Sequence, residues 1–167
     1  TTMARRTQFT LATFNLYNIN RPGLRIYSDS DGWDKEAYQR KLDWSRRIIL
    51  DHAADVWGFQ ELWHTEALED IFDHGDIRDY ELLVPEGHRG QRIVCAGAVR
   101  KDILIGEPRW IETFPEKFIL ESGGDDAQTS DISVNVKRFS RPVLHFQVEA
   151  RTNSSPISVY VAHFKSK

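Results

Sequence analysis

Cysteine is nearly absent from this 167-residue sequence: Cys95 is the single thiol. No intrachain disulfide can form, and a zinc site is disfavoured. Cys95 sits in the apolar run 93–99 and reads as a small buried hydrophobe rather than a nucleophile. No stretch approaches the roughly 18 apolar residues of a membrane span, and no collagen-like or heptad period runs through the chain. Neither sign of charge dominates. Lys and Arg number 22 against 25 Asp and Glu, a net charge of −3. That excludes a strongly basic nucleic-acid binder read from charge alone, but not an enzyme that holds a phosphate through a metal ion. Residues 1–6 lack the apolar centre of a secretory signal, so a cytoplasmic location is expected.

Several nucleotide, hydrolase and metal signatures are missing too. There is no Gly-x-x-x-x-Gly-Lys-Ser/Thr loop, no Gly-x-Ser-x-Gly elbow and no His-Glu-x-x-His helix. Asp29-Ser30-Asp31-Gly32 opens like a calcium loop, but the sixth and twelfth positions are Asp34 and Arg40 instead of Gly and Glu. His52, His64, His74, His88 and His145 show no ligand spacing.

What remains is an ordinary globular composition, 40% hydrophobic and 28% charged. A chain of this length buries about 70% of its unfolded surface and needs no staple. Residues 9–16 read as a strand with two mostly apolar faces, buried between layers, ending near Asn15. Residues 34–52 read as a helix, with Tyr38, Leu42, Ser45, Ile48 and Ile49 on one face and Asp31 or Asp34 as cap. A short strand over 53–61 ends in Gln60-Glu61, and a second helix is expected over 65–72. From Tyr80 onward the pattern turns to strands: 80–84, 92–99, 108–113, 142–150 and 157–164. The last two flank a turn-rich hexapeptide and predict an antiparallel hairpin. Residues 121–131, acidic and polar, read as a surface loop. The expected class is α/β, a mixed sheet with flanking helices in a single domain.

Five residues stand out chemically. Glu61 ends an apolar strand, and ligands of α/β sheets bind outside such ends. A carboxylate there could hold a hard cation such as Mg2+, which takes one or two protein carboxylates and keeps its waters. Spacing alone fits a solvated loop glutamate better. Asn15 could serve a phosphate or metal-bound water, or satisfy backbone groups at a turn. His163 alternates with Val159 and Val161, so it points inward, either to serve a phosphoryl group or as a hydrogen-bonded core histidine. Lys165 shares that face. Arg141, held extended by Pro142, is suited to a bidentate phosphate contact, although a plain surface arginine has the same signature.

In order along the chain stand Ala12-Thr13-Phe14-Asn15-Leu16-Tyr17-Asn18, Ala54-Asp55-Val56-Trp57-Gly58-Phe59-Gln60-Glu61, Phe139-Ser140-Arg141-Pro142-Val143-Leu144 and Val161-Ala162-His163-Phe164-Lys165-Ser166-Lys167. This series resembles the endonuclease/exonuclease/phosphatase superfamily, the deoxyribonuclease-I-like phosphodiesterases. The Asp-x-x-x-x-Gln-Glu and His-Phe-Lys-Ser-Lys segments are its most specific parts. The resemblance implies that Glu61 binds the metal and that Asn15 positions metal and scissile phosphate. It implies that Arg141 contacts the phosphate, where Lys165 would add a positive charge by its place on the face of His163, and that His163 stabilises or protonates there. The implied cofactor is Mg2+, with Mn2+ or Ca2+ as alternatives. The implied substrate is a phosphoester, nucleic acid foremost, and the implied reaction is metal-assisted hydrolysis.

Two departures qualify this. Where some members carry an acidic residue two positions after the asparagine, this chain has Tyr17. The later Asp-x-Asn and Asp-His pairs of the family are also missing. The family stacks two sheets between outer helices, a four-layer α/β sandwich, and about half of it is expected here: the first sheet and its helices. The expectation is therefore a chain truncated on its C-terminal side and inactive alone. The missing half or a second chain would cover the exposed sheet face. The alternative function is a non-catalytic half-domain for binding or assembly, with Glu61 and Asn15 as relics.

Overall fold

The computed structural model describes residues 8–116, 120–121, 133–134, 137–150 and 153–164. Its first sheet holds β1 (Leu11–Ile19), β2 (Val56–His64), β3 (Tyr80–Leu83) and β4 (Arg89–Arg100), in the order β1-β2-β4-β3. β1 and β2 run parallel, joined through helix α1 (Lys35–His52). The β2–β4 and β3–β4 pairs are antiparallel, so the sheet is mixed. Helix α2 (Thr65–Phe72) follows β2. The second sheet holds β5 (Leu104–Thr113), β8 (Arg138–Val148) and β9 (Ile157–Val161), all antiparallel, in the order β5-β8-β9. A two-residue ladder, β6 (Leu120–Glu121) with β7 (Ser133–Val134), lies between them in sequence. No helix among the described residues is long and apolar enough to cross a membrane.

Helix α1 forms where its apolar stripe and cap agree. The Asp34 carboxylate accepts from the Ala37 N–H at 2.7 Å, satisfying one orphan donor of the first turn. Tyr38, Leu42, Ser45 and Ile49 are the buried residues, one stripe of the 3.6 period. At the other end Ala53 takes a left-handed conformation and its N–H closes on the Ile49 carbonyl. The Arg46 guanidinium reaches across to the Asp70 and Ile71 carbonyls at the end of α2. That docks the two helices through α2's unsatisfied acceptors.

Two cores follow from the two faces of β2. Trp57 and Phe59 point to the helices, with Leu16, Leu42, Ile49, Leu68 and Ile71 around them. Val56 points the other way, with Cys95 and Val99 of β4, and meets Leu144, Phe146, Val159 and Val161 of the second sheet. The sheets come close because Gly58 has no side chain: a Cβ there would stand 3.0 Å from Val161 Cγ2. Cys95 is fully buried in this layer, and burial pushes its thiol pKa up to about 11. It packs as a hydrophobe.

The order and type of the elements match expectation, including the antiparallel β8–β9 hairpin. Two features differ. The chain does not carry one sheet with a bare inner face. It carries four strands of one sheet and three of another, packed face to face, because apolar residues of β8 and β9 cover β2 and β4. Nor is β1 buried on both faces. Leu11, Thr13 and Asn15 are exposed, because β2 is its one partner among the described residues and the second sheet does not extend over it. Leu11, Thr13, Gly58, Gln60, Val159 and Val161 instead line an open cleft of about 160 Å3. The loop expected over 121–131 lies outside the described residues apart from Glu121 in its short ladder.

Candidate functional site: a carboxylate, an imidazole and a guanidinium between the sheets

The parallel pair β1–β2 is locked at its start. Thr10 donates from its backbone N–H and its hydroxyl to Asp55 Oδ2 at 2.9 and 3.0 Å, while Asp55 N–H returns a bond to the Thr10 carbonyl. Asp55, the first residue of the Asp-x-x-x-x-Gln-Glu segment, thus fixes the strand register. Further along, Thr13 and Gln60 side chains bond across the strands at 3.0 Å, and Asn15 stands opposite Gln60.

Beyond this point both strands break their regular pairing. The β1–β2 register shifts between Asn15 and Ile19, and the β2–β4 register between Phe59 and Leu62. Tyr17 (φ 55°), Asn18 (φ 52°) and Glu61 (φ 61°) all occupy the left-handed region. Such conformations are rare for residues with a Cβ and cluster where a side chain must be re-aimed. β2 does not end at Glu61, as the sequence suggested, but runs on to His64. The irregularity turns the Glu61 carboxylate out of the ladder.

That carboxylate meets the second sheet. Glu61 Oε2 accepts the Asn18 backbone N–H at 3.0 Å, and Oε1 faces His163 Nε2 across 3.5 Å. Both side chains keep under a fifth of their surface exposed. Arg141 Nη1 lies 3.3 Å from the same Nε2 and donates to the Phe164 carbonyl at 3.2 Å. Nε2 therefore faces both a guanidinium and a carboxylate, while Nδ1 is buried with no hydrogen-bond partner among the described residues. Burial, then Arg141, lowers the His163 pKa, with Glu61 opposing. The net direction favours the neutral imidazole. A second cation, Lys41 of α1, has its pKa lowered by burial and raised in part by Glu61.

Glu61, Arg141 and His163 are thus brought together, and His163 points inward as its alternation suggested, just past the end of β9. Arg141 lies within β8, which begins at Arg138 rather than at Pro142. Asn15 is exposed in the interior of β1, and its Oδ1 accepts the Tyr17 N–H at 2.8 Å, an Asx turn that supports the strained segment. Lys165 falls outside the described residues.

Sequence reasoning missed Asn18. Besides its bond to Glu61, its Oδ1 accepts from Trp63 Nε1 at 3.1 Å and Tyr27 Oη at 3.3 Å, and its carbonyl accepts from Trp33 Nε1 at 2.9 Å. Its presence in the Asn15–Asn18 motif was the available signal.

No family model matches this sequence, and no curated protein matches it. Solved structures do match its backbone. Humanized D. rerio TDP2 with 14 mutations superposes with a TM-score of 0.55 at 12% identity, over 95% of this chain and 51% of that one. A mannosyl-6-phosphatase from Bacteroides thetaiotaomicron gives 0.54 at 17% identity, over 92% and 50%. An endonuclease/exonuclease/phosphatase from Bacteroides vulgatus gives 0.53 at 16% identity, over 91% and 51%. The chain spans about half the length of the structures it matches. In its architecture, a mixed sheet backed by helices and faced by a second sheet, the chain shares the fold of about half of these solved structures, endonuclease/exonuclease/phosphatase family proteins among them.

Proposed function

We propose that this chain supplies the metal- and phosphate-binding side of a phosphoester hydrolase of nuclease-like character, with nucleic acid as substrate. The observation that carries the reading is the meeting of Glu61, His163 and Arg141, from two sheets, beyond the pairing of β1 and β2.

The donor set fits a hard divalent cation. Glu61 Oε1 faces His163 Nε2 at 3.5 Å, longer than a hydrogen bond, and has no closer partner among the described residues, so it could turn to a cation. Asn15 offers an exposed amide on the neighbouring strand. No group of three or more His, Cys, Asp or Glu residues converges among the described residues. One carboxylate with an amide suits Mg2+, which keeps several waters, better than Ca2+, which takes six to eight oxygen ligands. Mn2+ is an acceptable substitute. When bound, the ion would neutralise charge on the phosphoryl oxygens.

The chain's own residues have separable tasks. Arg141 would orient the phosphate, since a guanidinium has donors left after its contacts to His163 and Phe164. Lys165, two residues beyond His163, would add a second cation. His163 would donate to a phosphoryl or leaving oxygen from Nε2 once that nitrogen is protonated and Arg141 has turned from it to the phosphate. The Asn18 N–H would hold Glu61 in place.

The test uses protein made from its full open reading frame, assayed on plasmid DNA and bis-p-nitrophenyl phosphate. Hydrolysis should require Mg2+ and fall by about 100-fold or more in Glu61→Ala. Equal activity in excess EDTA, or in Glu61→Ala, would overturn the proposal in favour of a non-catalytic binding module.

A further inference from the structure

The segment joining β1 to α1 folds back beside Glu61 and borders an open cleft of about 330 Å3, lined chiefly by Tyr17, Asn18, Tyr27, Asp31 and Trp33. Pockets for small molecules begin at about this size. Its aromatic wall is fixed in place. Asn18 ties Tyr27, Trp33 and Trp63 together through its side chain and carbonyl, and ties all of them to Glu61 through its N–H. The Tyr27 and Trp63 rings meet edge to face at 5.6 Å.

Tyr17 stands at the mouth, 71% exposed, with a left-handed backbone. A bulky residue in that region is strained, and a ring left in water recovers nothing by burial. Packing therefore gives no reason for a tyrosine here. A ligand does, because an exposed ring beside an aromatic wall is a stacking platform.

The lining chemistry narrows the ligand. Asp31 is the one charged residue of the wall, so the cleft repels a phosphate and favours a neutral group with N–H donors. A hexose would need several free polar partners for its hydroxyls. The Asn18 Oδ1, carbonyl and N–H are all engaged, and the Ser30 hydroxyl already accepts from Tyr27 N–H. A flat heterocycle needs fewer.

Resting on the phosphoester reading above, we propose that this cleft is a stacking subsite for the nucleobase of a nucleotide whose phosphate lies against Arg141 and His163. Tyr17 stacks on the base, and the Asp31 carboxylate accepts from its N–H groups. This subsite would select nucleotides over other phosphoesters.

The experiment is calorimetric titration of the intact protein, in EDTA so that no turnover intervenes. The ligands are adenosine 5′-monophosphate, ribose 5-phosphate, mannose 6-phosphate and adenosine. The nucleotide should bind about 5- to 150-fold more tightly than ribose 5-phosphate, the range that stacking one base supplies. Tyr17→Asn, which suits a left-handed backbone, should abolish that advantage and leave ribose 5-phosphate unchanged, whereas Tyr17→Phe should keep it. The proposal is overturned if the nucleotide and ribose 5-phosphate bind equally, or if the advantage survives in Tyr17→Asn. It is also overturned if mannose 6-phosphate binds more tightly than the nucleotide. Failure of the phosphate site looks different. Adenosine would then bind as tightly as its monophosphate and Arg141→Ala would alter neither, while the Tyr17 effect persisted.

Discussion

The contact of the two sheets at Gly58 of β2 and Val161 of β9 can be tested by adding one carbon atom. A Cβ at position 58 would lie 3.0 and 3.2 Å from the two Val161 γ-methyls, and Val161 is 5% exposed. Overpacking of this kind costs about 1–3 kcal/mol. Replacing glycine by alanine in a strand returns about 0.5–1 kcal/mol of backbone entropy. Gly58→Ala should therefore be destabilising by about 0.5–2 kcal/mol. In a Val161→Ala background the obstructing methyls are gone and the entropic gain remains. There the same substitution should be neutral or slightly stabilising, a coupling of about 1–3 kcal/mol. Urea denaturation of the four proteins measures this. The site should respond as well, because His163 follows Val161 by two residues and its Nε2 lies 3.5 Å from Glu61. Phosphate affinity should fall in Gly58→Ala and recover in the double variant. Equal destabilisation in both backgrounds would refute the packing of the two sheets at this point.

Asp34→Ala removes the side-chain cap of α1 and should cost about 0.5–2 kcal/mol in urea denaturation while leaving phosphate affinity unchanged. A cost below about 0.3 kcal/mol would contradict the cap. His88, whose ring nitrogen Nε2 meets the Trp63 carbonyl at 2.8 Å, has its pKa lowered from 6.5, chiefly by burial. The unfolded chain therefore binds this proton first, and stability present at pH 7 should decline as the pH falls below about 6.5. His88→Gln should flatten that decline. An unchanged slope would show that the imidazole is not held neutral.

The sequence made α1 legible because two independent signals agreed, the apolar face of Tyr38, Leu42, Ser45, Ile48 and Ile49 and a capping aspartate, Asp31 or Asp34, of which Asp34 takes the role. The β8–β9 hairpin was legible for the same reason, two apolar alternations around a turn-rich link. How the strands divide between sheets was not, since alternation says that a residue faces a core without saying which one. Val56 and Trp57 are both buried, yet they enter different cores. β1 misled because apolar composition does not reveal whether a partner covers a strand. In the site, Glu61, His163 and Arg141 were visible as residue types in motifs. The contacts that fix Glu61 were not, because the Asn18 N–H and carbonyl do that work, and backbone groups leave no signature in residue type.

The central claim is that one divalent cation binds at Glu61, beside His163. Mn2+ tests it directly, since the ion broadens the NMR signals of nuclei close to it. Titrating Mn2+ into the intact protein should broaden the resonances of Asn15, Asn18, Glu61 and His163 first, and Glu61→Ala should abolish that effect. Broadening centred elsewhere, or the same pattern in Glu61→Ala, would contradict the account.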